Sequence, residues 1–259
     1  MQNIEIFSNK TVLVTGASRG IGKVIALSFA QLGADIIVHY VRNKQKADET
    51  ADEASKLGRR ALVVQANLSY PEHIERMFGE IQSWGKGLDI FISNAASGFN
   101  RPGMQQRADG WDFTMNVNSR AFLLCAQKSV PLMQINGGGA MVAISSPGSW
   151  RVLPDYIAVG ASKAALDALV RYLAVELAEF NIVVNGIAPG IVATDALSHF
   201  SSMSDPDLLT RAAEKTPAGR IVTPTDVAEL AIFLCSKAAE MIRGQVIVLD
   251  GGFTLPARW

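Results

Sequence analysis

Seven short apolar runs, each rich in Val, Ile or Leu, punctuate the chain at positions 11–15, 36–40, 61–66, 88–93, 140–145, 182–187 and 245–250. None alternates strictly between apolar and polar residues. Continuous runs of this length are what parallel strands covered on both faces require. Between them apolar positions return with helical period. Ile21, Val24, Ile25, Phe29 and Leu32 share one face; Leu166, Leu169, Val170, Leu173 and Leu177 share a second; Val227, Leu230, Ala231 and Leu234 a third. Strands alternating with helices predict right-handed crossovers and an α/β fold. The expected form is a doubly wound sheet of seven parallel strands with helices on both faces and ligands at the strands' carboxyl ends. No repeat, linker or low-complexity break appears, so residues 1–259 read as one domain. Two longer segments, 98–109 and 196–220, lie where such a fold keeps its substrate. The second, with Ser198, Ser201, Ser202, Ser204, Pro206 and Pro217, is expected to be a lid, its alternative being a plain surface loop.

Composition narrows the class. Twenty-four basic residues balance twenty-four acidic ones in 259, so no charge footprint points to nucleic acid or an anionic membrane. Cys125 and Cys235 stand in apolar helical contexts and read as buried thiols of a reducing compartment. The N-terminus carries an acid and lacks the basic and apolar regions of a signal peptide, and no run of 18 apolar residues occurs. A cytoplasmic protein is expected. His39, His73 and His199 are scattered without helical pairing, so no metal site is expected.

The first strand runs directly into Thr15-Gly16-Ala17-Ser18-Arg19-Gly20-Ile21-Gly22, which opens a helix. Gly16 permits the tight turn, Gly20 lets backbone N–H groups approach a pyrophosphate, and Gly22 lets helix and strand pack closely. Placed strand-turn-helix, this is a Rossmann-type dinucleotide fingerprint. An acid at the end of the second strand would bond a free adenosine ribose, and none stands between Ile36 and Asn43. Arg19 and Arg42 are instead placed to clamp a 2′-phosphate, which predicts NADPH as the cofactor; the bland reading makes either arginine a solvated charge. Asn67-Leu68 and Asn94-Ala95 end the third and fourth strands on the rim where adenine and ribose would rest. Asn94 reads equally well as a structural strand-end cap.

Tyr156 and Lys163 stand seven residues apart. Such a pair returns to nearly the same face of a helix, about 10 Å along its axis. A phenol and an ammonium facing one cleft suit acid chemistry, the cation lowering the tyrosine pKa. Alone the pair is weak: a core-edge tyrosine and a solvated lysine fit the same spacing.

Taken together, the turn at 15–22, Asn94-Ala95, Asn118, Ser146, Lys163, Pro189-Gly190 and Asp250-Gly251-Gly252 resemble the short-chain dehydrogenase/reductase family over essentially the whole chain. The usual member of that family has Tyr-x-x-x-Lys, with a serine 13 residues before the tyrosine. Here the residue 13 after Ser146 is Val159, which has no proton to give. The Tyr-x6-Lys arrangement resembles the divergent branch, the enoyl-acyl-carrier-protein reductases. Ala96 and the segments Arg101-Pro102, Ser162-Lys163-Ala164-Ala165-Leu166 and Thr216-Pro217-Ala218-Gly219-Arg220 are similar to its NADPH-dependent type III.

That resemblance implies reduction of a trans-2-enoyl thioester, carried on acyl carrier protein, in fatty-acid or polyketide synthesis. Hydride then reaches the β-carbon while charge develops on the thioester oxygen, so the donor must reach farther than in ketone reduction. It implies Tyr156 as the donor to that oxygen and Lys163 on the nicotinamide ribose. Asn118 would carry a water for proton relay, and Ser146 would orient substrate or tyrosine, with Ser145 and Ser149 as rivals. Pro189, Gly190, Ile191 and Thr194 would line the carboxamide side of the nicotinamide. A homotetramer is implied too, through apolar faces such as 166–177. Arg101, Arg151 and Arg211 would either meet an acidic carrier or be solvated charge. Two other readings stay open: a carbonyl or 3-ketoacyl reductase using the same tyrosine, and a catalytically silent NADPH sensor, which has no need of both Tyr156 and Lys163.

Overall fold

The computed structural model describes residues 5–193 and 208–256. Seven strands form one parallel sheet: β1 (Thr11–Val14), β2 (Asp35–Tyr40), β3 (Ala61–Gln65), β4 (Ile90–Ser93), β5 (Gly139–Ile144), β6 (Ile182–Pro189) and β7 (Val246–Leu249), in the order β3-β2-β1-β4-β5-β6-β7. All seven apolar runs became strands, with ends shifted by a residue or two. Val12 pairs with Ile36 on one side and Ile90 on the other, which puts the reversal of strand order between β1 and β4. In an open α/β sheet the ligand crevice lies at that switch point.

Helices α1 (Gly20–Gln31), α2 (Lys44–Lys56) and α8 (Pro224–Leu234) cover one face, where Ile25, Phe29, Val38, Ile92 and Val227 form a continuous core. Helices α3 (Pro71–Trp84), α5 (Ala121–Ile135) and α6 (Ile157–Glu176) cover the other, around Leu13, Ile74, Phe91, Phe122, Met141 and Leu166. The short helices α4 (Ala108–Met115) and α7 (Leu208–Lys215) lie outside these layers in sequence, after β4 and β6. Helix ends follow local chemistry. Pro71 opens α3, and Thr223 with Asp226 closes a reciprocal capping box on α8.

One expectation needs correction, and another falls partly outside the described residues. Leu166, Val170, Leu173 and Leu177 are buried against the sheet of their own chain, so that stripe is core. What α6 turns outward is Tyr172 and Val175. The expected lid at 196–220 falls partly outside the described residues; its described part begins as α7 and continues to Arg220, which pairs with Asp226. No helix among the described residues is long and apolar enough to cross a membrane.

Candidate active site

The glycine turn sits at the switch point, and each glycine has a distinct reason to be there. Gly16 and Gly20 take left-handed φ values of +68° and +56°, where any side chain is strained. A Cβ on Gly22 would lie 2.4 Å from the Gly16 carbonyl oxygen and 2.5 Å from Nδ2 of Asn94, so helix, turn and β4 meet with no room for one. That cradle fits a dinucleotide pyrophosphate, because the first amides of α1 have no partner inside the helix. Ser18, Gly20 and Ile21 are half-buried, and Arg19 and Arg42 are exposed on its margin.

Asn94 resolves toward its structural reading. Its Nδ2 donates to the carbonyls of Thr15, at 2.9 Å, and Gly16, at 3.3 Å. Thr15 Oγ1 in turn accepts the N–H groups of Asn94 and Ala95. Asn67 is bent into its own turn, its Oδ1 accepting from the backbone N–H and the hydroxyl of Ser69. Leu68 is packed in the core, so its side chain turns away from the rim.

His39 was passed over as one of three scattered histidines. It is completely buried at the end of β2, with Nδ1 3.0 Å from the Gly16 N and Nε2 2.9 Å from the Ala66 carbonyl oxygen. Burial lowers its pKa to about 4, against a small opposing effect of the Ala66 carbonyl. Two clues were present in the sequence: a polar residue inside an apolar strand, and its place facing the glycine turn.

The second half of the site is built on β5 and the start of α6. Tyr156 caps α6, and its hydroxyl donates to Ser146 Oγ at 3.5 Å. Ser146 Oγ also accepts the Gly148 N–H at 3.1 Å. The two rivals of Ser146 part here. Ser145 donates to Asp167 at 2.5 Å on the buried side, and Ser149 Oγ is buried with no partner among the described residues. Ser146 is therefore the serine that meets the phenol. Asp155, just before the tyrosine, has φ +59° and accepts the Arg101 N–H, which ties the 98–107 loop to the tyrosine's own turn.

Lys163 is held against the end of β5. Its ammonium is buried and donates to the Ile144 carbonyl at 2.6 Å. Burial lowers its pKa to about 8, with the Asp167 carboxylate working against the drop. The Tyr156 phenol moves up, not down: burial raises it and the Ser146 hydroxyl only partly offsets that. Desolvation outweighs the expected cation effect. The phenol is thus held in its acid form, which is the form a proton donor needs.

Asn118 is held by both ends of its amide. It lies in a π-helical turn, Asn116–Arg120, between α4 and α5. Its side chain is 2% exposed and spent on protein: Oδ1 accepts the Ser97 N–H, and Nδ2 donates to Ser162 Oγ, both at 2.9 Å. The side chain is a clamp between the loop after β4 and α6. That clamp brings Gly98 down on Val159, where a Cβ at position 98 would lie 2.4 Å from Val159 Cγ2.

Pro189 ends β6 beside Leu249, and the Gly190 N–H bonds the Leu249 carbonyl at 2.9 Å. Ile191 accepts from Val222 N–H at 3.2 Å, which joins this strand end to the entrance of α8. Thr194 lies outside the described residues. Arg151 donates to the Thr254 carbonyl and so anchors the C-terminal turn, while Arg101 lies over the Phe99 ring at 5.9 Å.

A parallel sheet with a glycine turn at its switch point and a Ser–Tyr–Lys group beside it defines a nicotinamide-dependent oxidoreductase scaffold. Comparison with known proteins agrees. A family model described as Enoyl-(Acyl carrier protein) reductase matches residues 16–254. The chain is 36% identical over 245 residues to 1-cyclohexenylcarbonyl-CoA reductase of Streptomyces collinus, covering 95% of this chain and 87% of that one. It is 33% identical over 259 residues to the NADPH-dependent aldehyde reductase-like protein, chloroplastic, of Arabidopsis thaliana, covering 95% and 94%. Among solved structures, a 7 alpha-hydroxysteroid dehydrogenase complexed with NADH and 7-oxo glycochenodeoxycholic acid superposes with a TM-score of 0.90 at 32% identity, over 97% of each chain. The protein belongs to the short-chain dehydrogenase/reductase family.

Proposed function

We propose that this reductase saturates the carbon–carbon double bond of a 2-enoyl thioester, using NADPH. The observation that carries this reading is the tyrosine's place. Position 159, where the usual family spacing puts the phenol, holds Val159, buried and packed against Gly98. The phenol instead enters from the first residue before α6, nearly one helical turn away. That shift suits an oxygen two carbons from the hydride-accepting carbon better than one on that carbon itself. The match to the enoyl reductase family model and the name of the Streptomyces collinus relative, a cyclohexene carbonyl thioester, support the same chemistry.

The roles we assign are as follows. When bound, the reduced nicotinamide would supply hydride to the β-carbon, and a proton from solvent at the α-carbon would complete the saturation. Tyr156 donates its hydrogen bond to the thioester oxygen, where it stabilises the charge that develops. Ser146, 3.5 Å from that phenol, would donate to the phenol oxygen and leave its one proton for the thioester oxygen. Lys163 holds the ribose hydroxyls, and Pro189, Gly190 and Ile191 form the wall behind the carboxamide. Arg19 and Arg42, with no acid at the end of β2, favour the 2′-phosphate of NADPH. Acyl carrier protein is the proposed bearer of the thioester.

A carbonyl reductase is the second reading, favoured by the relatives named for aldehyde and hydroxysteroid substrates. NADPH oxidation by the purified protein with crotonyl and acetoacetyl thioesters separates the two. Turnover of the enoyl compound alone is expected. Turnover of the keto compound alone would replace this proposal with a ketoreductase.

A further inference from the structure

We infer that His39 is a positioning residue for the dinucleotide site: from the end of β2 it latches the glycine turn and couples it to the end of β3. The inference rests on dinucleotide binding at that turn and goes beyond it, to the residue that fixes the turn's shape.

Three bonds converge on this one residue. Its Nδ1 meets the Gly16 N–H at 3.0 Å, its own carbonyl accepts the Ala17 N–H at 3.0 Å, and its Nε2 meets the Ala66 carbonyl at 2.9 Å. A backbone N–H can only donate and a carbonyl can only accept. The tautomer is therefore forced: Nδ1 accepts and Nε2 carries the proton. No charged side chain stands in the turn (residues 15–18) or at the end of β3 (residues 65–69). Two titratable groups reach the end of β3, and both are bonded to its backbone. His73 Nδ1 accepts the Asn67 N–H at 3.3 Å, and Arg120 donates to the Ser69 carbonyl at 2.6 Å.

The consequence is directional. With the amides of Gly16 and Ala17 turned inward onto His39, the amides of residues 18–21 are left to face outward at the N-terminus of α1. Asn94 holds the carbonyls of Thr15 and Gly16 from the other side, so the peptide that opens the turn is gripped at both of its poles. An apolar side chain of similar size at position 39 would fill the same space. It would leave the Gly16 N–H buried without an acceptor, and the turn would rotate to find one.

The test uses the full-length protein and NADP+, followed by titration calorimetry at pH 7.5, together with hydrogen exchange of the segment 13–20 in the free protein. His39→Leu is expected to weaken NADP+ binding about tenfold and to speed exchange at Gly16 and Ala17. His39→Asn, whose Oδ1 stands in the place of Nδ1, is expected to restore both. His39→Gln, which keeps only the link to Ala66, is expected to restore neither. The KM for the thioester should not move in any variant. A folded His39→Leu with wild-type affinity and exchange would overturn the inference, as would equal affinities for the Asn and Gln variants if the Leu variant does not fold. Failure of the wild-type protein to bind NADP+ would refute the cofactor reading instead. The exchange measurement would then still decide the latch: protection lost in Leu and kept in Asn supports it, and unchanged protection sinks it.

Discussion

A Cβ placed on Gly148 would lie 2.5 Å from Cε1 of Tyr156. The ring rests on the turn after β5 with nothing between them. Gly160 completes the fit, since a Cβ there would lie 2.7 Å from the Gly148 carbonyl oxygen. Gly148→Ala must push either the ring or the turn, and the turn also holds Ser146. The expected result is a fall in kcat of about tenfold or more, from a donor misplaced by a fraction of an ångström, with NADPH affinity unchanged. Steady-state kinetics beside a fluorescence titration of NADPH would check both halves.

The buried Lys163 sets an alkaline limb. With its pKa lowered to about 8, the amine carries its proton below that pH and loses it above. The pH profile of kcat/KM for NADPH, which reports the free protein, should fall as pH rises through about 8. Asp167 raises the Lys163 pKa, so Asp167→Asn should move the limb to lower pH. A limb that stays in place would remove Asp167 from the account. Tyr156, raised by burial above the usual 10, should contribute no limb below that value.

Arg19, in the glycine turn, and Arg42, two residues beyond β2, are both exposed, and the proposed reading gives them the 2′-phosphate. Each is worth a modest charge-assisted bond. Replacing both with Ala should cut kcat/KM for NADPH by one to two orders of magnitude and leave that for NADH nearly unchanged. The ratio of the two, measured at fixed ionic strength, is the quantity to follow.

His39 should also make the fold acid-sensitive. Its folded pKa of about 4 lies below the ordinary 6.5, so the unfolded chain binds the proton first as pH falls. The stability it confers is whole above pH 6.5 and is lost progressively as pH drops toward 4. The full difference is about 3 kcal/mol. Urea midpoints measured across that range should fall in the wild type and fall less in His39→Asn.

The strands, their parallel pairing and the helices on both faces were legible because each depends on a local pattern of apolar residues. So was the glycine turn, whose three glycines answer to φ and to contact within one strand-turn-helix unit. The Tyr156–Lys163 spacing was legible too, but its electrostatics were not. The expectation of a phenol lowered by a nearby cation assumed that charge outweighs desolvation, and burial of both groups reversed the balance.

What the sequence determined by itself is therefore the set of elements and the residue types brought to the carboxyl ends of the strands. Tertiary structure decided which polar atoms meet. Asn94 grips a turn 79 positions before it, Asn118 bonds a serine 44 positions after it, and His39 spans partners 23 and 27 positions away, just past the ends of two different strands. Leu166 to Leu177 made the same point from the apolar side: one stripe serves equally as a core face or as an interface until the sheet is laid against it. Periodicity and φ preference act over a few residues. Hydrogen-bond partners and burial are fixed only when distant strands are packed side by side.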